Sequence, residues 1–444
     1  MLKRIFFLFI IIILMISCRK AVTRPNMSNL GTPPSEEGIP EIPDITPPDN
    51  EEDYYIKAND TEDMIKNKIQ KYYDKHSIYV ALIDDTENNI EKNGTIEKIN
   101  NIINNDIYSQ GVFLDLSKTD MTKISDNLFM DSKHLSSVKL PETITSIGVG
   151  AFSNAKALSA INFPSVLNEI GKGAFYGCAN LQEVNLEYAQ IKIISDQSFD
   201  GCLKLAKVTL PNMLLAINEK AFNNCESLTA INFPATLEDM GEGAFLKCKS
   251  LQEANLKDTQ ITILSNYVFS DCNNLTLVTL PDGLLGMENG AFSYCTSLEE
   301  ITFPENFIVI GNSVFYECIS LKKVNFNDKL KSIYHYAFYG CSSLSKISLP
   351  SSLQELGAAG LAEIFPECTS LSDVEYLGTN PEDIAYFGNI FGTSSNPQNL
   401  YLPNVDDPAS IQPPSQDPNP WINFLGYDWT DKIKYRESMP NEII

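Results

Sequence analysis

The sequence is poor in histidine, a frequent component of catalytic and metal centres. It has three histidines in 444 residues, His76, His134 and His335. Because they lie in separate segments, we expect neither a histidine-based metal site nor a nucleophile–base pair. The sequence also lacks the G-x-S-x-G, H-E-x-x-H, phosphate-loop and dinucleotide-binding motifs. We therefore predict a protein that is not an enzyme and that holds no cofactor or metal.

Positive charge is scarce as well. The chain has 33 Lys and Arg residues against 57 Asp and Glu residues, for a formal net charge of −24 at pH 7. Nucleic-acid binding needs basic stripes that neutralise phosphates, and electrostatic docking on anionic lipid needs a polybasic segment. We therefore expect neither partner. The plainest interpretation of the acidic charge is that it keeps a large surface soluble.

The apolar run at the N-terminus is too short to cross a membrane. Lys3 and Arg4 precede 12 apolar residues at 5–16, whereas a spanning helix needs about 20. A charged start followed by a run of this length is typical of a secretory signal peptide, which we place at residues 1–17.

The run ends in the sequence M-I-S-C, whose last residue is Cys18. A small residue before cysteine resembles a bacterial lipobox, and this resemblance implies that Cys18 becomes the lipid-modified N-terminal residue. The alternative is an ordinary cleaved leader with an incidental cysteine. Two or three acyl chains suffice for stable anchoring, so we expect the lipid to be the only contact with the membrane.

Residues 18–53 have the composition of a disordered tether. They hold seven prolines and end in the acidic run Glu51-Glu52-Asp53, and such segments bury too little apolar surface to fold. At ~3.1 Å per residue, a polyproline-like chain of this length reaches roughly 100 Å. We expect it to hold the remaining chain away from the bilayer.

The main feature of the chain is a 23-residue repeat, which is clearest at 221–243 as AFNNCESLTAINFPATLEDMGEG. Its phenylalanine recurs in steps of 23 or 24 residues, at Phe129, Phe152, Phe175, Phe199, Phe222, Phe245, Phe269, Phe292, Phe315 and Phe338. A fixed period in the twenties predicts a solenoid. Each unit cannot bury its apolar residues alone, but stacked units share a continuous core.

Each repeat unit predicts one short strand and a return segment. Alternation at Val184, Asn185 and Leu186 favours a strand with one buried face. Proline closes the strand in most units, and Ala-Phe-x-x-Cys is expected to bring the chain back as a short helical turn. The predicted fold is an α/β-type solenoid of about 11 coils of 23–24 residues with a parallel β-sheet, over residues 113–377.

The repeat skeleton A-F-x-x-C-x-x-L-x-x-I-x-F-P-x-x-L-x-x-M-G resembles the BspA-like, or Treponema-type, leucine-rich repeat family over residues 114–377. The resemblance implies a parallel-sheet solenoid on a secreted or surface protein, often an adhesin. Two departures stand out. Ser132 and Ala155 replace cysteine in the first two full units, and the step to Phe365 is 27 residues, where we expect the curvature to change.

Nine of the ten cysteines occupy one position of the repeat, namely Cys178, Cys202, Cys225, Cys248, Cys272, Cys295, Cys318, Cys341 and Cys368. Their side chains should run parallel into the core, and the substitutions by Ser132 and Ala155 favour a small packing role. We therefore predict buried free thiols. Disulfides or a metal site are the alternatives.

The solenoid is expected to carry a cap at each end, since end units lack neighbours. Residues 54–112 predict a small α/β cap with strands at 54–57 and 78–83. Its helices are expected at 61–73 and at Thr95–Ile103, the second with Thr95 as N-cap.

Residues 378–444 leave the repeat pattern and predict an irregular C-terminal cap. Both tryptophans of the chain, Trp421 and Trp429, lie there in an aromatic cluster. The plainer interpretation is a hydrophobic cap over the last coil. The alternative is a glycan-binding module in which the two indole rings stack on sugars.

Tyrosines concentrate in the late repeats, at Tyr294, Tyr316, Tyr334, Tyr336 and Tyr339. Tyr316 and Tyr339 share the position after the repeat phenylalanine and should be neighbours on adjacent coils. Exposed tyrosines provide large contact area at low entropic cost, which favours protein recognition. Ordinary packing of the phenol rings is the alternative.

Taken with the resemblance, these features predict a monomeric, lipid-anchored protein on the outer-membrane surface of a bacterium, which binds an extracellular protein ligand through its repeats. An envelope or periplasmic scaffold that meets no host ligand is the alternative in a second class. A glycan-binding module is a third.

Overall fold

The computed structural model describes residues 52–357, 363–408 and 419–440. The predicted signal peptide, the lipidation site at Cys18 and the tether up to residue 51 lie outside the described residues. None of the described helices is long and apolar enough to span a bilayer.

The described chain begins with a layer of helices against parallel strands. Its elements in order are β1 (Tyr55–Ile56), α1 (Glu62–His76), β2 (Tyr79–Ile83), α2 (Glu87–Lys92), α3 (Thr95–Ile103) and β3 (Val112–Asp115). The three strands pair in parallel, with Tyr55 opposite Leu82 and Tyr79 opposite Val112. Short 3-10 helices lie at Glu52–Tyr54, Asp106–Tyr108, Pro381–Asp383 and Phe424–Gly426.

The first helix begins with a side-chain cap, whereas the predicted cap of α3 is not the one that the structure contains. The Thr61 side chain accepts a hydrogen bond from the Met64 amide and so begins α1. The prediction of Thr95 as the N-cap of α3 is wrong. Gly94, with a φ of +58°, takes that position, and buried Thr95 is the first helical residue, whose hydroxyl donates to the Ala58 carbonyl at 3.4 Å.

The repeats contribute two series of short strands, here called ladders, and each ladder is divided into several parallel sheets. The first ladder contains β3 and then Leu135–Lys139, Ala160–Ile161, Glu183–Asn185, Lys207–Thr209, Ala230–Ile231, Glu253–Asn255, Leu277–Thr279, Glu300–Thr302, Lys323–Asn325, Lys346–Leu349, Asp373–Tyr376, Asn399–Leu402 and Ile433–Tyr435. The second contains Lys123–Ile124, Ser146–Ile147, Glu169–Ile170, Ile193–Ile194, Ala216–Ile217, Asp239–Met240, Ile263–Leu264, Gly286–Met287, Val309–Ile310, Ser332–Ile333, Glu355–Leu356 and Ala385–Tyr386.

The register places equivalent residues beside one another. Val208 pairs with both Val184 and Ile231, and Ile217 pairs with Met240. Because the side-chain period of a strand is two, this register keeps paired residues such as Val184, Val208 and Ile231 on the interior face. The structure is therefore the predicted leucine-rich repeat solenoid.

The segment that carries the repeat phenylalanine is a pair of tight turns and differs from the short helical turn that we predicted. Around Phe199, Gln197 and Gly201 have φ angles of +56° and +77°. The Cys202 amide donates to the Phe199 carbonyl at 3.2 Å and closes the turn between them. A residue with positive φ on either side of the phenylalanine stops a right-handed helix from forming.

The phenylalanines form a continuous interior stack. Neighbouring ring centroids are 5.0 to 6.0 Å apart from the first ring to the last. The twelve rings belong to Phe129, Phe152, Phe175, Phe199, Phe222, Phe245, Phe269, Phe292, Phe315, Phe338, Phe365 and Phe391. They bury large apolar areas and so bind successive coils together.

The nine repeat cysteines line a second interior column, and the prediction of buried free thiols is confirmed. Each Sγ atom lies 3.1 to 3.4 Å from the carbonyl oxygen of the phenylalanine in the preceding coil. Burial raises the pKa of the Cys202 thiol far above its ordinary value. Ser132 and Ala155 are equally buried at the same position, and the Ser132 hydroxyl bonds to Asn100.

Both ladders continue beyond residue 377, where the sequence pattern ends. Strand Asp373–Tyr376 pairs with Asn399–Leu402, which in turn pairs with Ile433–Tyr435. The Phe391 ring stacks on Phe365 with centroids 6.0 Å apart. The segment that we predicted as an irregular cap thus begins by continuing the coil.

Candidate functional site

Late tyrosines form a connected set of rings on the outside of the phenylalanine turn. The ring centroids of Tyr316 and Tyr339 are 4.5 Å apart and their planes differ by 6°. Tyr294 meets Tyr316 at 5.4 Å, and Tyr336 meets Tyr339 edge-on at 5.4 Å. We call these four residues the tyrosine patch.

Hydrogen bonds between coils hold the patch in register. The Tyr294 amide donates to the Tyr316 carbonyl at 2.7 Å, and the Glu317 amide donates to the Tyr339 carbonyl at 2.7 Å. Phe315 and Phe338 immediately precede Tyr316 and Tyr339 and point fully into the core. Inward phenylalanines therefore anchor the backbone of the outward tyrosines.

The patch is accessible to solvent. Tyr294 is 42% exposed, whereas Tyr316, Tyr336 and Tyr339 are half-buried. Half-buried phenol rings keep an apolar face and a polar edge available while their conformations are restricted, which is favourable for binding.

Two of the tyrosines occupy backbone positions that disfavour large side chains. Tyr294 and Tyr336 have φ angles of +60° and +56°. Some other coils hold glycine at the corresponding positions, for example Gly177 and Gly243, and others hold polar residues such as Lys247 and Gln197. A left-handed conformation costs an L-residue about 1–2 kcal/mol. Strained residues persist where the surrounding structure holds them and are concentrated at functional sites.

The fifth predicted tyrosine, Tyr334, follows strand Ser332–Ile333 and is half-buried. Burial raises the pKa of Tyr334, and the Glu355 carboxylate adds to the increase. Next to it, the His335 ring lies 3.5 Å from Tyr336 between centroids. The Nδ1 atom of His335 is buried without a hydrogen-bond partner, and burial lowers the pKa of that histidine.

Carboxylates flank the patch on two sides. Burial raises the pKa of Tyr316, with further contributions from neighbouring tyrosines and from Glu317. Burial also raises the pKa of Tyr336, and a hydrogen bond with the Glu363 side chain adds to it. Our sequence analysis did not identify Glu317 or Glu363 as parts of the site. Glu317 could have been found from its place beside Tyr316, but Glu363 lies in the irregular 27-residue step.

The two tryptophans do not form a sugar-stacking surface. Trp421 is 2% exposed and Trp429 is fully buried. The Trp429 indole nitrogen donates to the Phe424 carbonyl at 2.7 Å, and its ring packs edge-on against Phe391. The glycan-stacking alternative at these residues is therefore incorrect, because their ring faces are occupied by the protein interior.

The described ranges contain no group of three or more His, Cys, Asp or Glu side chains placed to hold an ion. The nine repeat cysteines of the interior column are buried free thiols. Burial raises the pKa of thiols such as Cys202 and Cys295 and keeps them protonated, and a protonated thiol is neither a good nucleophile nor a good metal ligand.

A family model for the BspA-type leucine-rich repeat region matches this chain with six copies, over residues 122–252, 192–318 and 286–405. Together these matches span more than half of the sequence. The chain belongs to the BspA-type leucine-rich repeat family. Proteins of this family are typically found at the cell surface and generally act as non-enzymatic scaffolds for protein interaction.

Solved structures of bacterial leucine-rich repeat proteins are similar to this chain. A leucine-rich cell surface protein from Faecalibacterium prausnitzii is 27% identical, with 59% of this chain and 84% of that chain covered and a TM-score of 0.36. A leucine-rich repeat protein from Bacteroides ovatus is 25% identical, with 54% and 79% covered and a TM-score of 0.32. Comparison with curated proteins gave no match.

Proposed function

We propose that this BspA-type protein is an adhesin-like, lipid-anchored surface protein that binds an extracellular protein ligand through the tyrosine patch. The observation that carries the proposal is the contact of four tyrosine rings on three adjacent coils, with Tyr316 and Tyr339 stacked at 4.5 Å. Clustered aromatic side chains are enriched among the residues that dominate protein interfaces.

The position of the strained tyrosines supports a role in binding. Tyr294 and Tyr336 have left-handed backbone conformations in which glycine would avoid the strain. Folding does not require tyrosine at either position, since other coils hold Gly177 or Lys247 at the first and Gly243 or Gln197 at the second. A ligand that contacts the rings would account for their presence.

The sequence supports delivery of the protein to the envelope surface. The apolar run at 5–16 directs export, Cys18 carries the lipid, and the proline-rich segment up to residue 53 separates the repeats from the membrane. Attachment through one N-terminal lipid leaves the whole solenoid available for contacts, and the protein needs no second copy to present the patch.

The test compares the adhesion of bacteria that display the full chain with that of bacteria displaying matched variants. We would measure binding to epithelial cells and to immobilised extracellular-matrix proteins. The double variant Tyr316→Ser with Tyr339→Ser is expected to lower adhesion at least tenfold, because it removes the central rings of the patch. Tyr188→Ser is the control, since Tyr188 is 74% exposed and lies in an earlier repeat.

Protease shaving of intact cells tests the surface position independently. We expect trypsin to remove the repeats from cells with an unbroken outer membrane. Protection of the full chain would point to the periplasmic scaffold, and unchanged adhesion of a correctly displayed double variant would contradict the role of the tyrosines. A Cys18→Ala variant is expected to lose membrane attachment and metabolic palmitate labelling.

A further inference from the structure

The tyrosine patch carries negative charge on two sides. Glu317 extends toward the next coil, where both of its carboxylate oxygens would lie 3.0 Å from a Cβ atom placed on Gly340. At the other side, the Tyr336 amide donates to the Glu363 carbonyl at 2.7 Å, which places Glu363 beside Tyr336. The carboxylates therefore lie next to the rings of Tyr339 and Tyr336, within reach of any group that covers them.

Among the described residues, the rings of the tyrosine patch have no cation stacked on them. Within residues 52–357, 363–408 and 419–440, no lysine or arginine lies over any of its four rings. Elsewhere in the same chain the Lys118 ammonium lies 4.3 Å from the Tyr55 ring centroid, and the Lys432 ammonium lies 4.6 Å from that of Tyr427. Those rings show the contact that the face of a phenol ring favours, which is electrostatic attraction of a cation.

The rings of Tyr316 and Tyr336 stay neutral under physiological conditions, because burial raises the pKa of both. Burial and the neighbouring tyrosines raise the pKa of Tyr316 above its ordinary value of 10.0. His335, beside Tyr336, has a pKa lowered by burial, so it does not supply a positive charge near pH 7. A ligand therefore meets uncharged aromatic faces bordered by carboxylates.

We propose that the tyrosine patch binds an arginine side chain on an exposed basic segment of its protein ligand, an inference that rests on the function proposed above. A guanidinium group is planar and weakly hydrated, so it stacks on a phenol ring while its N–H groups reach a carboxylate. Paired N–H groups also suit bidentate contact with Glu317. A lysine ammonium group has the same charge but is not planar and cannot stack on a ring, so the patch should bind it less tightly.

The test uses the full chain and three fluorescein-labelled heptapeptides, in which glycine alternates with arginine, lysine or citrulline. Fluorescence anisotropy measures binding at low and at physiological salt. We expect the arginine peptide to bind more tightly than the lysine peptide, and the citrulline peptide to bind least. Each lost ring or carboxylate contact should weaken arginine binding about two- to fivefold.

Matched variants separate the patch from the general acidity of the protein. Tyr316→Ala and Glu317→Gln should weaken binding of the arginine peptide, whereas Tyr316→Phe should keep it within about twofold because phenylalanine retains the ring face. Tyr188→Ala and Glu169→Gln, which change an exposed ring and an exposed carboxylate in earlier coils, should have no effect.

Several results would overturn the inference. Equal binding of the arginine and citrulline peptides would exclude a cation, and an equal effect of Glu169→Gln and Glu317→Gln would reduce the interaction to net charge. Equal binding of lysine and arginine peptides would exclude the preference for a guanidinium group. If the Tyr316 and Tyr339 double variant loses cell adhesion while Glu317→Gln keeps it, protein binding at the patch stands and the arginine contact fails. If both variants adhere normally, both proposals fail.

Discussion

The rings of Tyr316 and Tyr339 are nearly parallel on adjacent coils, with their centroids 4.5 Å apart. In earlier coils the same repeat position holds side chains that hydrogen-bond along the solenoid. There, Ser270 and Ser293 lie 2.8 Å apart between hydroxyl oxygens, and Asn223 donates to Asp200. The solenoid thus accepts either polar or aromatic side chains at this position, where an earlier coil holds Tyr176, and Tyr316 and Tyr339 are adjacent tyrosines that stack there.

A double-mutant cycle should detect the stacking as a coupling free energy. We expect Tyr316→Ala and Tyr339→Ala to be coupled by about 0.5–1.5 kcal/mol, the usual range for aromatic pairs. Unfolding in urea gives the free energies of the single and double variants. Tyr316→Ala combined with Tyr188→Ala is the control and should be additive within ~0.5 kcal/mol. Additive effects for the stacked pair would mean that the ring contact does not stabilise the fold.

The interior thiols should be unreactive until the solenoid unfolds. Their burial raises the pKa of residues such as Cys202 and Cys295, and the thiolate is the reactive form. In a Cys18→Ala variant we expect Ellman's reagent to detect almost no thiol at pH 8 in the native protein. All nine column thiols should react in guanidinium chloride without reductant. Fewer reactive thiols in denaturant would indicate disulfides.

Close contact between coil backbones should make one glycine hard to replace. A Cβ atom on Gly241 would lie 2.5 Å from the Glu219 nitrogen and 2.7 Å from the Asn218 carbonyl carbon. Backbone atoms cannot move aside cheaply, so Gly241→Ala should destabilise the protein by about 1–3 kcal/mol. Gly283→Ala is the control because no atom lies within 4 Å of its added Cβ. Equal melting temperatures for the two variants would contradict the close approach.

Protonation of His335 should cost stability. Burial lowers the pKa of this histidine from its ordinary value of 6.5, so the unfolded chain binds the proton more readily than the folded one. The stabilising contribution of neutral His335 is therefore retained above about pH 6.5 and is lost as the pH falls below that value toward the lowered pKa of the folded state. Replacement by phenylalanine removes this titration. We expect the melting temperature of His335→Phe to fall less between pH 7.5 and pH 5.0 than that of the unchanged protein.

Identical pH dependence in the two proteins would show that His335 titrates alike in the folded and unfolded states. The comparison is internal, because the carboxylates and the other two histidines are common to both proteins. A stability difference that is the same at both pH values would instead reflect packing of the ring against Tyr336.

The repeated architecture was predictable from the sequence because its signal is a period. Phe129 and Phe338 belong to one register of residues, and stacking follows once the coils are parallel. The interior thiols were predictable for the same reason, since a column that also accepts Ser132 and Ala155 must be small and buried. Helices α1 and α3 followed from apolar spacing, although the cap of α3 was misplaced by one residue.

The features that we did not predict from the sequence are those that do not recur at a fixed spacing. Phe391 follows Phe365 by 26 residues and still stacks on it, because strand pairing tolerates a longer loop. The left-handed turn residues were also missed, since Gln197 and Tyr336 occupy positions where glycine would have been informative. Burial of Trp429 depends on contacts between distant segments that composition does not specify.

The strands after residue 377 determine how a truncated protein should behave. A fragment that ends at residue 377, where the repeat pattern of the sequence stops, lacks these strands. Such a fragment would leave Asp373–Tyr376 as a bare edge strand, with the amide groups that now pair with Asn399–Leu402 open to other molecules. The Tyr376 ring, which is fully buried beside Phe424, would become exposed to solvent. We expect a fragment that ends at 377 to elute as aggregates in gel filtration, and one that ends at 440 to elute at its own mass.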